Sequence, residues 1–191
     1  MEDNTATAGR HIPGEAGVWI LIFGDLMVFS LFFVTFADYR ASQVALFQAS
    51  QAQLSQAFGL INTLLLLTSS WLLAEALNAA RRQAPHKAAR LASGAILLGL
   101  GFVIVKIFEY AAKFDAGIGP SSNEFFMLYF AFTGVHLLHV LVGIGLLLFV
   151  RSRLSRPIVA DGMKLVECAA IFWHLVDILW VILFALLYLH R

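Results

Sequence analysis

Five long apolar stretches separated by short polar connections organise this chain, near residues 18–36, 60–77, 91–112, 125–150 and 166–189. A helix needs about 20 apolar residues to cross a bilayer, so the pattern predicts five transmembrane helices and an all-α, polytopic bundle. The connections leave no room for a folded soluble domain, and no internal repeat is evident, so residues 1–191 read as one membrane domain. The longest connection, 39–56, lacks proline, is rich in alanine, glutamine and serine, and is expected to begin helical ahead of the second span. The first stretch is expected to be retained. It is longer than the apolar core of a secretion signal, carries Asp25, and exits through TFADYR without a small-residue cleavage site.

Composition agrees with the pattern: 60% of residues are apolar and 13% charged, against about 25% charged in a soluble domain. A net charge of +1 makes no electrostatic case for nucleic acid, and no glycine-rich phosphate loop of Walker or Rossmann type is present. With one cysteine, Cys168, the chain has neither an internal disulfide nor a cysteine-based metal site. Basic residues orient the spans. Arg81, Arg82, Lys87 and Arg90 follow the second stretch, and Arg151, Arg153, Arg156 and Lys164 follow the fourth. The opposite connections hold only Arg40 and Lys113, beside Asp38, Asp115 and Glu124. Lys/Arg enrichment marks the cytoplasmic side, so the N-terminus is expected to be cytoplasmic and the C-terminus periplasmic.

The informative residues are those a bilayer disfavours. At 1.5 Å of rise per residue, Asp25 lies about 12 Å inside its span, and His174 and Asp177 lie about 12 and 16 Å in from the same side. His136 and His139 lie about 16 and 21 Å in from the other side, so all five fall in the middle band. His136 and His139 are spaced to share a helix face, as are His174 and Asp177, and Lys106 and Glu109 repeat that spacing nearer the outer end of the third span. For His174 and Asp177 a hydrogen-bonded packing element stands beside a proton-relay pair. Asp25 is expected to face the bundle or a lipid cleft. Lys106 and Glu109 are expected to pair near the membrane interface, with a coupling-ion site as the alternative. His139 and His174 lie at similar depth, which makes a haem between two helices conceivable, but no second pair of imidazoles accompanies them. Gly99, Gly101, Gly143 and Gly145 suit close helix packing. Trp19, Trp71, Trp173 and Trp180 form no single aromatic belt and are expected in packing and subunit contacts.

These residues carry a resemblance. GVWILIFGDLMVFSLFFVTF resembles the span of cytochrome c oxidase subunit III that bears a buried carboxylate, with Asp25 at that position. INTLLLLTSSWLLAEA is similar to the family's Asn-Thr and Ser-Ser span through Asn62, Thr63, Ser69 and Ser70, and GFVIVKIFEYAAK to the next through Glu109 and Tyr110. FAFTGVHLLHVLVGIGLLL resembles the Thr-Gly-x-His-x-x-His-Val span through Thr133, Gly134, His136, His139 and Gly143. WHLVDILWVILFALLYL resembles the closing signature through Trp173, His174, Asp177, Trp180 and Tyr188. The five motifs occur in family order over nearly the whole chain. Against the seven-helix form the first two helices are lacking, Asp25 replaces the usual Glu as in shorter quinol-oxidase relatives, and Lys106 replaces another polar residue. Lys106, with KIFEYAAKFDAGI and SNEFFMLYFAFTG, is most similar to the short branch associated with nitric oxide reductases.

The resemblance implies a non-catalytic subunit in the inner membrane of a bacterium. It would have no metal or cofactor of its own beyond bound phospholipid, because the family's redox metals belong to subunits I and II. Its expected partner is the catalytic subunit of a haem–copper oxidase or of a nitric oxide reductase, whose assembly, stability and sustained turnover it would support in aerobic or denitrifying electron transport. Subunit III of a quinol or cytochrome c oxidase proper is the nearest alternative. A small proton or ion transporter, motivated by the midplane Asp, His and Asp residues, is the rival from another class. It lacks the paired broken helices of transporters. A membrane cytochrome b is a further rival.

Overall fold

The computed structural model describes residues 16–155 and 160–189. Six helices follow in order: α1 Ala16–Ser42, α2 Val44–Gln51, α3 Gln56–Arg81, α4 Pro85–Asp115, α5 Glu124–Leu154 and α6 Ala160–Phe184, the last continuing into a π-helical turn at Ala185–Leu189. Among the described residues, five helical segments are long and apolar enough to cross a membrane: Gly17–Ser42, Gln56–Arg81, Pro85–Asp115, Glu124–Leu154 and Gly162–Leu189. Each expected span is present and runs past its apolar stretch. Helices are the natural solution here, because lipid offers no partner to an unpaired backbone group. The segment 39–56 is helical ahead of the second span, as expected: α1 runs on to Ser42, and α2 is a helix of its own, separated from α3 by a turn over residues 52–55.

Local chemistry sets the helix ends. Gln83 takes φ +56° and Ala84 N–H donates 3.0 Å to Ala79 O, closing α3 with a left-handed cap before Pro85 opens α4. Gly117, at φ +73°, closes α4 in the same way, with Ile118 N–H donating 2.9 Å to Lys113 O. Asn123 caps α5 by accepting from Phe126 N–H at 2.9 Å, and its amide donates 3.0 Å to Ser50 on α2.

Helices α3, α4, α5 and α6 form a four-helix core, with α3 and α5 each packed on both α4 and α6. On the side carrying the basic connections, Arg81 pairs with Glu167 at 2.9 Å and Arg151 donates to Ser93 at 2.6 Å. Helix α1 lies outside this core against α5 and α6 and is the least buried of the spans. Phenylalanines attach it: Phe32 stacks on Phe132 at 4.7 Å between ring centroids, and Phe36 meets Phe47 and Phe125 edge-on at 5.3 and 6.3 Å. Among lipid tails no hydrophobic gain drives such contacts, so fit does. Inside the core, Trp173 fills a slot between α4 and α5. A Cβ on Gly99 would stand 2.9 Å from its ring, and one on Gly143 2.6 Å. Trp173 and Trp180 are fully buried whereas Trp71 is 62% exposed, so the tryptophans divide between core and periphery.

Candidate functional site

Four polar clusters interrupt the apolar interior. The first lies at the end of the bundle opposite the basic connections. Lys106 and Glu109 on α4 form the expected ion pair, at 2.9 Å, and both side chains are buried within the bundle. Burial is tolerable because every polar direction is filled. Lys106 Nζ donates to Glu109 Oε2, to Tyr129 Oη at 3.1 Å and to Tyr188 Oη at 3.0 Å. Tyr188 Oη in turn donates 2.6 Å to Glu109 Oε1. The rings of Tyr110, Tyr129, Trp180 and Tyr188 surround the ammonium with centroids 4.9 to 5.6 Å away. The π-helical turn carries Tyr188. The looser turn leaves carbonyls to be satisfied from outside, and Gln51 Nε2 donates to Leu186 O at 3.1 Å and Leu187 O at 3.3 Å, while Gln56 Nε2 donates 3.0 Å to Tyr188 O.

The second cluster is central. His136 is fully buried, edge-on to Phe102 with centroids 5.7 Å apart and 5.2 Å from Trp180. Among the described residues neither of its ring nitrogens has a hydrogen-bond partner, nor does either polar atom of the fully buried Asn62 side chain. Trp180 Nε1–H donates 3.1 Å to Thr63 Oγ1, and Thr63 donates 2.8 Å to Gly59 O.

The third cluster joins α3 to α6. Ser70 Oγ lies 2.5 Å from His174 Nδ1, and Asp177, one turn further along α6, is 5% exposed. The contact of His174 is therefore a hydroxyl on another helix, an arrangement that glues two spans together.

The fourth cluster faces outward. His139 does not share the surroundings of His136. Three residues turn a helix about 60° short of a full circle, enough to move His139 from the core to its edge. There Nδ1–H donates 2.8 Å to Val135 O, and Nε2 stands 3.5 Å from Asp25 Oδ1 on α1. Because the Nδ1 proton is committed to the carbonyl, a hydrogen bond between Nε2 and Asp25 requires one further proton, on the imidazole or on the carboxyl. His139 and His174, weighed above as a haem pair, are thus turned to different neighbours. Among the described residues no three His, Cys, Asp or Glu side chains converge to hold a metal ion.

Asp25 and His139 sit at the inner end of an apolar cleft between α1, α5 and α6. Its wider part, of about 360 Å³, is lined by Val18, Leu21, Val142, Leu146, Leu165 and Phe172 among others. A narrower lobe of about 220 Å³ shares Leu21, Val142 and Phe172 and ends at the two polar side chains. Of the residues that build these clusters, Tyr129, Gln51 and Gln56 escaped notice in the sequence. Tyr129 falls on the Thr133 and His136 face of α5, a periodicity that could have marked it, but no sequence signal announces a π-turn in need of glutamine donors.

Comparison with known proteins places this geometry in context. The sequence model for the family described as cytochrome c oxidase subunit III matches residues 5–191. The chain is similar to cytochrome bo(3) ubiquinol oxidase subunit 3 of Pseudomonas aeruginosa, with 28% identity over 91% of the chain and 83% of the relative. It is also similar to cytochrome c oxidase subunit 3 of Thermostichus vulcanus, with 34% identity over 68% of the chain and 64% of the relative. A third relative, from Aeropyrum pernix, is a heme-copper oxidase subunit I+III, with 26% identity over 92% of the chain and 22% of the relative.

Proposed function

Since the chain belongs to the cytochrome c oxidase subunit III family, we propose that it is a non-catalytic membrane subunit that packs on the catalytic subunit of a haem–copper respiratory enzyme. The match over residues 5–191 is the observation that carries this reading. The relative named as subunits I and III together supports a partner of subunit I type. The polar clusters fit the same role, because their hydrogen bonds run mainly between helices and serve to hold a scaffold.

In finer terms, the partner is the core of a nitric oxide reductase, a choice that rests on Lys106 and the stretches around Glu109 and Asn123. Relatives named as ubiquinol and cytochrome c oxidase subunits favour a second reading, a terminal oxidase proper. The membrane is the bacterial inner membrane, with the basic connections on the cytoplasmic side. The cleft between α1, α5 and α6 takes a phospholipid acyl chain, in keeping with its nearly continuous apolar lining.

Isolation from native membranes in mild detergent through an N-terminal tag tests the proposal. Haem absorption bands with a large catalytic subunit in the eluate are expected, and the identity of that subunit separates nitric oxide reductase from oxidase. A colourless chain eluting alone, together with unchanged levels and turnover of both enzymes in a deletion strain, overturns it.

A further inference from the structure

We infer, resting on the role proposed above, that the face shared by α3 and α6 around Trp71 and His174 is the one that packs on the catalytic subunit. There it meets a transmembrane helix that presents hydrogen-bond acceptors at mid-depth. The sign is polarity on a surface that lipid would otherwise cover. His174 is only half-buried, and its Nδ1 lies against Ser70 Oγ, which leaves Nε2 on the open side of the ring. Trp71, next to Ser70 and so at the same depth, is 62% exposed, and among the described residues nothing accepts its N–H. It lies about 9 Å inside the apolar stretch 60–77, deeper than the headgroup level at which tryptophan anchors membrane helices. Lipid tails bring no water to a polar group that faces outward at this depth, so protein must cover it.

Both groups open onto one surface. Helix α3 turns Leu65, Ser69 and Leu72 toward α4 and Ser70 toward α6. At about 100° per residue, the exposed Leu67 and Trp71 then fall beside α6, on the side remote from α4. On α6 the exposed Ile178 lies one turn beyond His174. The outer surface of α4 differs, for its exposed Leu97, Leu100, Ile104 and Ile107 are apolar throughout, as suits lipid. With Ser70 donating to Nδ1, His174 Nε2 carries the ring hydrogen, so both outward groups are donors. A second copy of this chain across a two-fold axis would set donor against donor. A helix of another chain bearing hydroxyls, amide oxygens or a free carbonyl answers both.

Photo-crosslinking in native membranes tests the assignment. A benzophenone side chain is placed at position 67 or 178, with position 104 on α4 as reference, and the tagged chain is isolated after irradiation. Cross-links to the haem-bearing subunit are expected in several-fold higher yield from 67 and 178 than from 104. Equal yields, or a higher yield from 104, overturn the face, and cross-links to a second copy overturn the occupant. A haem enzyme that co-purifies without cross-linking from 67 or 178 overturns this inference and leaves the proposed function standing. A colourless chain eluting alone overturns both. Leu67→Trp and Ile104→Trp add the same bulk to the two surfaces. The first is expected to lower the haem recovered with the chain several-fold and the second to leave it within about twofold, with unfolding in detergent showing that both variants fold. Equal recovery refutes the inference.

Discussion

Lys106 is the side chain that lipid should tolerate least, and its surroundings show how it is kept. Taking charges out of water is costly, and a buried pair survives only when both members and their remaining hydrogen-bond directions are met. Removing one member should therefore hurt more than removing both. Lys106→Met alone and Glu109→Leu alone are each expected to lose about 3–5 kcal/mol of stability, with the double variant recovering at least half, as measured by unfolding of the purified proteins in detergent. Additive losses would mean that the two charges do not act as a pair. At this scale the sequence is half legible. The spacing of Lys106 and Glu109 announces their contact, but Tyr188 lies 82 positions beyond Lys106, and a partner so distant is visible only once α6 is seated. His139 shows what spacing leaves out. The spacing that announces the contact of Lys106 with Glu109 does not announce the neighbours of His139, because a short rotation from His136 sets it against Asp25 at the edge of the core.

At the scale of the elements, the lengths of the five spans were readable because the bilayer dictates them. The faces were not, since a core-facing and a lipid-facing residue are equally apolar. Glycine is an example: Gly134 and Gly143 look alike in the sequence, yet a Cβ on Gly134 meets nothing within 4 Å while one on Gly143 meets Trp173 at 2.6 Å. Gly143→Ala is expected to cost about 1–3 kcal/mol through overpacking and Gly134→Ala to be neutral, with thermal unfolding of both as the check. Equal effects would show that Trp173 yields easily. The π-turn is the element that sequence conceals most, because its geometry depends on donors supplied by α2 and the start of α3. Gln51→Leu should leave two carbonyls wanting, with a penalty of about 1–3 kcal/mol. Hydrogen exchange over Ala185–Leu189 should speed up relative to the rest of α6. Unaltered exchange would show that the turn holds itself.

Across the whole molecule, a tight four-helix core supports one loosely attached helix, and the cleft beneath α1 follows from that unequal packing. The family and the number of spans were legible from the order of five motifs; the separation of α1 from the core was not. The closing of the Lys106 cluster has a consequence for how the protein is made. Lys106 enters the bilayer during translation well before Tyr188 does, so for that interval the nascent chain carries an ammonium whose cage is incomplete. A ribosome that fails before the π-turn leaves a polypeptide with every hydrophobic stretch inserted and one cation inadequately concealed. Such a chain is expected to be a better substrate for membrane proteases than the caged one. A stop codon at Ala185 is expected to shorten the lifetime of the protein several-fold in a pulse-chase experiment, and Lys106→Met should restore it to the truncated chain. Arrival of the π-turn would then be proofread by electrostatics, with a single lysine reporting whether Tyr188 has been delivered.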